Sequence, residues 1–380
     1  MSSARIVSVE WGTLTGQRPR PAGSNARLGA HGSAVQVPLV RIRTGDGACG
    51  FGVGRPSPDL AAALLGVPLD QLFDPAYGVP DRWMPVEYAL WDLAARRAAV
   101  PVYALAASLT GRPAPGALRV PCYDTSLYFD DLHLSSIQEA SQLIAAEARE
   151  GYERGHRAFK VKVGRGARHL PVEEGTQRDI AVIRAVRDSI GPDCRLLIDA
   201  NNGYTLNLAK RVLSATADCR VYWLEEAFHE DGVLYQDLRA WLADHGLPAL
   251  LADGEGDASP RLLDWAKQRL IDVIQYDIVS HGFTRWLHTG RQLDEWQARS
   301  APHHYGGYFG NYAACHLAPA LRGFTYVEWD EATVPGLEAP GYTIAGGAVS
   351  VPAVPGFGLN LDELLFQRVI DANGFRATAS

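Results

Sequence analysis

Eight polar residues in this chain each fall at or just past the end of a short apolar run. They are Lys160 and Lys162, then Asp199, Glu225, Glu255, Asp277, His303 and Glu328. From Lys162 onward the steps are 37, 26, 30, 22, 26 and 25 residues, each about one strand plus one helix. Asp199, Glu225 and Glu255 offer oxygen-only ligation, which suits a hard divalent cation such as magnesium with positions left for substrate. A single acid at a strand end more often caps a helix or pairs with an arginine. Three on consecutive strands reverse that balance. Glu226 should face away from Glu225, whereas Asp253 shares the face of Glu255 if its strand continues and competes as a ligand.

Lys160 and Lys162 are two apart, so on a strand both side chains point the same way. In a confined site each should lower the pKa of the other toward useful basicity. The alternation in Ala158-Phe-Lys-Val-Lys-Val163 also fits an exposed face. Asp277 beside His303 would fix the imidazole tautomer and raise its basicity, giving a proton-transfer pair. His304 is adjacent, and only one of the two can face a shared pocket. A cation on three carboxylates can bind a substrate carboxylate and stabilise the enediolate formed when the neighbouring carbon loses its proton. Lys162 and His303–Asp277 are then two opposed bases, with Lys160 and Glu328 at the carboxylate side.

Convergence of groups this far apart requires an architecture that brings strand ends together. Strand-like runs occur at Arg119–Asp124, Ala158–Val163, Arg195–Asp199, Val221–Glu225, Ala249–Asp253, Asp272–Asp277, Ala298–His303 and Phe324–Glu328, with helical stretches between. Ser136-Ile-Gln-Glu139 reads as a capping box, and Thr205 and Thr284 as N-caps. This is the period of a (β/α) barrel, whose C-terminal strand ends share one mouth. A doubly wound sheet usually carries a Gly-rich turn after its first strand, and Gly50-x-Gly-x-Gly54 lacks the following helix. Upstream, Gln36–Arg43 and Ala48–Val53 flank a Thr44-Gly-Asp-Gly47 turn and predict a hairpin. Gly16 to His31 predicts a long loop, a form often used as a functional lid. Its Arg18, Arg20, Arg27 and His31, with Arg55, are within reach of a polyhydroxy or anionic substrate end. Val86, Leu90 and Leu93 give helical spacing between Pro85 and Leu109, and a boundary is expected near residue 118.

The 380 residues, 47% hydrophobic and 21% charged, describe an ordinary globular chain of one large and one smaller domain. A net charge of −7 without a like-charge block argues against a nucleic-acid surface or a polybasic membrane anchor. No run approaches the ~20 apolar residues of a membrane span, and Met1 to Trp11 does not read as a signal peptide. Five scattered cysteines without a Cys-x-x-Cys pair predict reduced thiols and a cytoplasmic protein.

Lys160-Val-Lys162, Ile198-Asp-Ala-Asn201, Leu224-Glu-Glu226, Gly254-Glu255, Gln275-x-Asp277 and Pro302-His303, with Val86-Glu-Tyr-Ala-Leu-Trp-Asp92, resemble the mandelate racemase group of the enolase superfamily. The resemblance implies an α/β fold: a modified TIM barrel, (β/α)7β, over 119–345. An N-terminal α+β capping domain over 1–118 would be completed by the tail at about 346–380. It further implies Mg2+ on Asp199, Glu225 and Glu255, catalytic Lys162, His303, Asp277, Lys160 and Glu328, and a homo-oligomer, dimer or octamer. Ala227 replaces a usual proline, His281-Gly282 a usual glycine pair, and Asn201 the histidine acid of some sugar-acid dehydratases. The leading expectation is dehydration of a sugar acid to a 2-keto-3-deoxy acid, with His303 as acid. Racemisation or epimerisation of a small carboxylic acid is the alternative, and a non-catalytic binding protein on the same fold a lesser one.

Overall fold

The computed structural model describes residues 4–379. Residues 1–3 and 380, the ends of the expected capping unit and of part of the leader reading, lie outside the described residues. Strands β1 (Ile6–Ala22), β2 (Gly32–Thr44) and β3 (Cys49–Val53) form an antiparallel sheet with the expected hairpin between β2 and β3. Residues 16–22, expected to be loop, continue β1 instead. Pro19 and Pro21 fall where the β1–β2 ladder has no pairs, between Gln17↔Ala34 and Ala22↔Gly32, so their missing N–H groups cost no ladder bond. Apolar periodicity is absent there because the arm packs on polar groups of the barrel: Gln17 and Thr333 exchange two backbone hydrogen bonds of 2.9 Å.

Helices α1 (Pro58–Leu64), α2 (Glu87–Arg97) and α3 (Val102–Leu109) follow. The helical pattern between Pro85 and Leu109 is thus two helices, with Val86, Leu90 and Leu93 fully buried. Gly50 and Gly52 let α2 lie directly on β3. A Cβ at Gly52 would stand 2.6 Å from the Tyr88 carbonyl carbon and 2.8 Å from the Ala89 nitrogen.

The barrel runs β4 (Leu118–Leu127), α4 (Ile137–Glu153), β5 (Ala158–Lys162), α5 (Val172–Ile190), β6 (Arg195–Asp199), α6 (Leu206–Ala215), β7 (Val221–Glu225), α7 (Gly232–Asp244), β8 (Leu250–Asp253) and α8 (Leu262–Lys267). It continues through β9 (Val273–Ile274), α9 (Ile278–His281), α10 (Phe283–Trp296), β10 (Arg299–Ser300), α11 (Phe309–Leu317) and β11 (Val327–Trp329). Neighbouring strands pair in parallel in chain order from β4 to β10, and β11 pairs with β4. Between β10 and β11 the ladder shrinks to one bridge, Ser300↔Phe324. All eight expected strands are present. Ser136 and Thr205 cap α4 and α6, accepting from Glu139 and Leu208 nitrogens.

Thr284 is not the cap of α10. That helix starts at Phe283 after Gly282, and its first amides donate across the domain contact to the buried Glu87 carboxylate, Phe283 N at 2.9 Å and Thr284 N at 2.7 Å. Thr284 Oγ1 faces back and accepts from Val79 N and Trp91 Nε1, both at 3.0 Å. A carboxylate in trans can do this because a helix N-terminus leaves amides unpaired and attracts negative charge.

After the barrel come β12 (Leu337–Glu338), β13 (Thr343–Ala345), β14 (Ala348–Val351), β15 (Asn360–Leu361), α12 (Glu363–Asn373) and β16 (Phe375–Thr378). Strand β14 pairs antiparallel with β4 and β16 with β1, so the tail returns to the N-terminal sheet. At this junction His316 is fully buried. Its Nδ1 accepts from Tyr103 N at 3.0 Å, and its Nε2 lies 2.7 Å from Tyr342 OH, which donates to Phe357 O. Nε2 must therefore carry the proton. Burial pushes its pKa down to about 3.

Two outcomes follow from this packing. Gly52→Ala should destabilise the protein by about 1–3 kcal/mol through overpacking, read as a lower urea midpoint at unchanged slope. Below pH ~6.5 the unfolded chain protonates His316 while the folded chain does not, so stability falls with decreasing pH toward about 3 at ~1.4 kcal/mol per pH unit. His316→Gln should flatten the acid side of a Tm-versus-pH curve relative to the parent. Parallel curves would refute the assignment.

Candidate active site

Strands β5, β6 and β7 stop at the same height, and register delivers their last side chains together. Lys162 pairs with Asp199, and Asp199 with Glu225, across the β5–β6–β7 ladders. Lys160 and Lys162 are almost completely buried and point into the barrel, not onto an exposed edge. Lys160 Nζ lies 2.6 Å from Glu225, 2.7 Å from Glu328 and 3.4 Å from Asp199. Lys162 Nζ donates to Asp199 and sits 5.3 Å above the Tyr128 ring.

One carboxylate oxygen from each of Asp199, Glu225 and Glu255 lies within 4.8 Å of the others. Trp223 Nε1 and Gln275 Nε2 hold the second Glu225 oxygen at 3.2 and 2.8 Å. Asn201 N fixes Asp199 at 2.9 Å, and Asn201 Nδ2 reaches Glu226 and Glu255 at 2.8 and 3.1 Å. Of the two competing acids, Glu226 turns aside at φ 42° onto Asn201 and Asn202, and Asp253 accepts the Tyr235 hydroxyl. The strand does not continue past Asp253. Gly254, at φ 126°, reverses the chain and sends Glu255 into the cluster.

The donor set fits a divalent cation. The donors are all oxygen, and Glu255 Oε2 accepts no well-aligned hydrogen bond, its nearest polar neighbour being His303 Nε2 at 3.1 Å. Asp199, Glu225, Glu255 and Glu328 set against Lys160 and Lys162 leave two negative charges in excess, the amount that one such ion offsets. Burial and neighbouring Asp199 push the Glu225 carboxyl up to about 8, a repulsion a bound cation relieves.

His303 and Asp277 meet through a parallel bridge of their backbones, with His303 Nδ1 3.1 Å from Asp277 Oδ2 and Nε2 3.1 Å from Glu255. The other Asp277 oxygen caps α9, accepting from Val279 and Ser280 amides at 2.9 and 2.7 Å. His304 is buried on the other side, its amide donating to Glu328 at 3.0 Å while its ring lies against Gly307 and Gly310. Burial opposes protonation of His303, yet Glu255, Glu328 and Asp277 together raise it to about 10. The rise at His303 is as expected, whereas the lysines differ from expectation. Burial and their mutual repulsion lower their pKa, but Glu225 and Glu328 around Lys160 and Asp199 beside Lys162 outweigh this and raise both above the usual lysine value. The carboxylates, not the lysine pair, dominate the local field.

Of the early basic residues, Arg18 is committed to Asp330 by two 2.8 Å hydrogen bonds and lies 4.3 Å over the Tyr305 ring. Arg20 binds Glu147 and Ser126. Arg27, half exposed, reaches Glu226 at 3.4 Å, and Arg55 is exposed beyond β3. His31 stands edge-on to Tyr128 and Tyr305, with ring centroids 5.0 and 5.3 Å away. The two tyrosines escaped the sequence reading, although Tyr305 lies two residues after His303 and so on the same side of an extended segment. Behind Lys162, buried Arg165 spans Asp131 and Asp179 at 2.7 and 2.8 Å and donates to the Lys162 carbonyl at 3.3 Å, which locks the end of β5. His281 packs between Tyr276 and Trp286, and Ala227 is buried.

With this geometry in place, comparison is decisive on kinship. The sequence profile of the family described as Enolase C-terminal domain-like matches residues 143–365. The chain belongs to the enolase superfamily. Its fold is that of a galacturonate dehydratase from Geobacillus sp. solved with D-galacturonate and 5-keto-4-deoxy-D-galacturonate, at 46% identity and TM-score 0.94 over 99% of both chains. A mandelate racemase/muconate lactonizing protein from Geobacillus sp., complexed with magnesium/tartrate, gives 45% and 0.97 over 100% of this chain and 98% of that one. Among curated relatives, an arabinonate dehydratase of Saccharolobus solfataricus is 25% identical over 62% of this chain, and the match spans 57% of that protein's length. A D-galactarolactone cycloisomerase of Agrobacterium fabrum is 32% identical over 45% of this chain and 39% of its own length. No described helix is long and apolar enough to cross a membrane.

The donor set makes a binding prediction that does not depend on turnover. Mg2+ should raise Tm saturably, and Asp199→Asn or Glu255→Gln should weaken that response about tenfold or more, measured by calorimetric titration.

Proposed function

We propose that this enzyme dehydrates a sugar acid of the uronate type. What carries the reading is that two proton-transfer groups from non-adjacent strands reach the two ends of one carboxylate triad: Lys162 at Asp199, and His303 at Glu255. A magnesium ion on Asp199, Glu225 and Glu255 would supply the positive charge that holds the substrate carboxylate and offsets charge developing on it as the α-carbon is deprotonated. With a cation offsetting the Asp199 charge that raises its pKa, Lys162 in its neutral form would take the α-proton. His303, held in one tautomer by Asp277, gives a proton to the β-hydroxyl, which leaves as water. The enol product becomes the 2-keto-3-deoxy acid on protonation at carbon 3. Numbered from the aldehyde end, that outcome on galacturonate is the 5-keto-4-deoxy compound found in the Geobacillus dehydratase. Lys160 and Glu328 sit at the carboxylate side and complete its neutralisation. Asn201 occupies the place of a second candidate acid and cannot donate a proton as an imidazolium does, which leaves that role to His303.

In this reading residues 1–118 with the 346–380 tail cap the barrel of 119–345, and the arm of β1 and β2 excludes water from the mouth. A cytoplasmic homo-oligomer is part of the proposal, in keeping with five free cysteines. The alternative of racemisation is favoured by the same two opposed bases. In deuterated buffer with D-galacturonate, Lys162→Ala should abolish both α-hydrogen exchange and keto-acid formation. His303→Asn should retain exchange while lowering dehydration at least ~100-fold. Exchange with inversion and no keto acid would establish the racemase instead.

A further inference from the structure

The two ends of the barrel differ in the charges they carry. Acids crowd the mouth, whereas arginines stand at or beside the first residue of several strands: Arg119, Arg157, Arg195, Arg220 and Arg299. Asp272, just before β9, is held by Arg239 and the Leu251 amide, so the remaining arginines leave this end locally basic in a chain of net charge −7. An open cavity of about 320 Å3 lies there, lined by Arg195, Arg299, Arg322, Tyr222 and Tyr326 among others. That volume is within the range of small-ligand sites.

The three guanidinium groups have almost no carboxylate company. Arg299 Nη1 donates to Tyr222 OH at 2.6 Å, and the Arg195 guanidinium lies 4.9 Å over the Tyr222 ring. Only Arg322 approaches an acid, Asp294 at 3.8 Å, and both Asp294 oxygens already accept backbone amides, from Arg322 at 2.8 Å and Gly323 at 2.6 Å. Each arginine brings five N–H donors in a planar fork, so most remain free. The floor is rigid: Tyr222, Tyr326, Trp223 and Tyr123 stack edge to face in the barrel interior, with centroids 5.6–6.2 Å apart. An anion would relieve the repulsion among like charges facing one cavity, and an arginine fork matches the oxygens of a tetrahedral oxyanion.

We propose that this cavity is a phosphate-binding site, taking free phosphate or the phosphate of a small monoester, at the end of the barrel remote from Lys162 and His303. The test uses the full chain with chelator present, so that metal-mediated binding at the mouth is removed. Calorimetric titration with inorganic phosphate and with glucose 6-phosphate should show one saturable site per chain. The double variant Arg299→Gln/Arg322→Gln, and independently Arg195→Gln, should weaken it ~10-fold or more, with unperturbed folding by circular dichroism and unchanged turnover. Arg211→Gln, an exposed arginine paired with Glu173, should leave it intact. Tighter binding of glucose 6-phosphate than of phosphate would identify a monoester as the ligand, and equal binding would identify free phosphate. Reproduction of the signal by sodium chloride at matched ionic strength, retention of binding in the arginine variants, its loss in Lys162→Ala, or no binding at all would overturn the proposal.

Discussion

Lys160 and Lys162 place two ammonium groups among Asp199, Glu225, Glu255 and Glu328 where scarcely any solvent reaches. Taking such charges out of water costs several kcal/mol each, so the arrangement persists only where every group finds an opposite charge or a donor at close range. That requirement governs the whole C-terminal end of the barrel. It explains why Trp223 and Gln275 hold Glu225, why Thr125 and the His304 amide hold Glu328, and why Arg165 locks the backbone behind Lys162. Removing one partner leaves another charge uncompensated, which is why the site has to be built from many strands at once.

The N-terminal sheet serves the same end. A cluster of this charge in open water would be screened and weak as a template for proton transfer. The arm of β1 and β2 is pinned to the barrel by the Arg18–Asp330 pair and the Gln17–Thr333 bridge, which sets His31 against Tyr128 and Tyr305, and Tyr128 faces Lys162. Glu87 ties α2 to the first turn of α10, and His316 ties α3 and the tail to α11. The N-terminal elements are therefore bonded to the barrel at several buried polar points, each of which loses more when unpaired than it gains when paired.

Strand polarity gives the barrel two chemically different ends. At the carboxyl ends of the strands the chain turns inward with acids and their counter-charges. At the amino ends it enters through arginines, over an aromatic layer that closes the interior. Trp223 belongs to that layer and also donates to Glu225, so the aromatic packing that seals the floor also orients a residue of the mouth.

What one chain could disclose without coordinates was period and residue type. Strands are short and strictly alternate with helices, so Lys160, Lys162, Asp199, Glu225, Glu255, Asp277, His303 and Glu328 were identifiable as strand-end groups from their spacing, and the oxygen-only set indicated a hard cation. Caps at Ser136 and Thr205 were local and therefore legible. Tertiary structure decided whatever depended on partners distant in sequence. The Gly16–Ala22 segment is strand because β2 pairs with it at Gly16, Gln17 and Ala22 and a barrel loop adds the Gln17–Thr333 bridge. Thr284 is not a cap because Glu87 supplies one from α2. Glu255 displaces Asp253 because Gly254 turns the chain. The lysine pKa values rise, not fall, because electrostatic energy sums over every charge within a few ångströms, and a sequence lists neighbours along the chain but not across space.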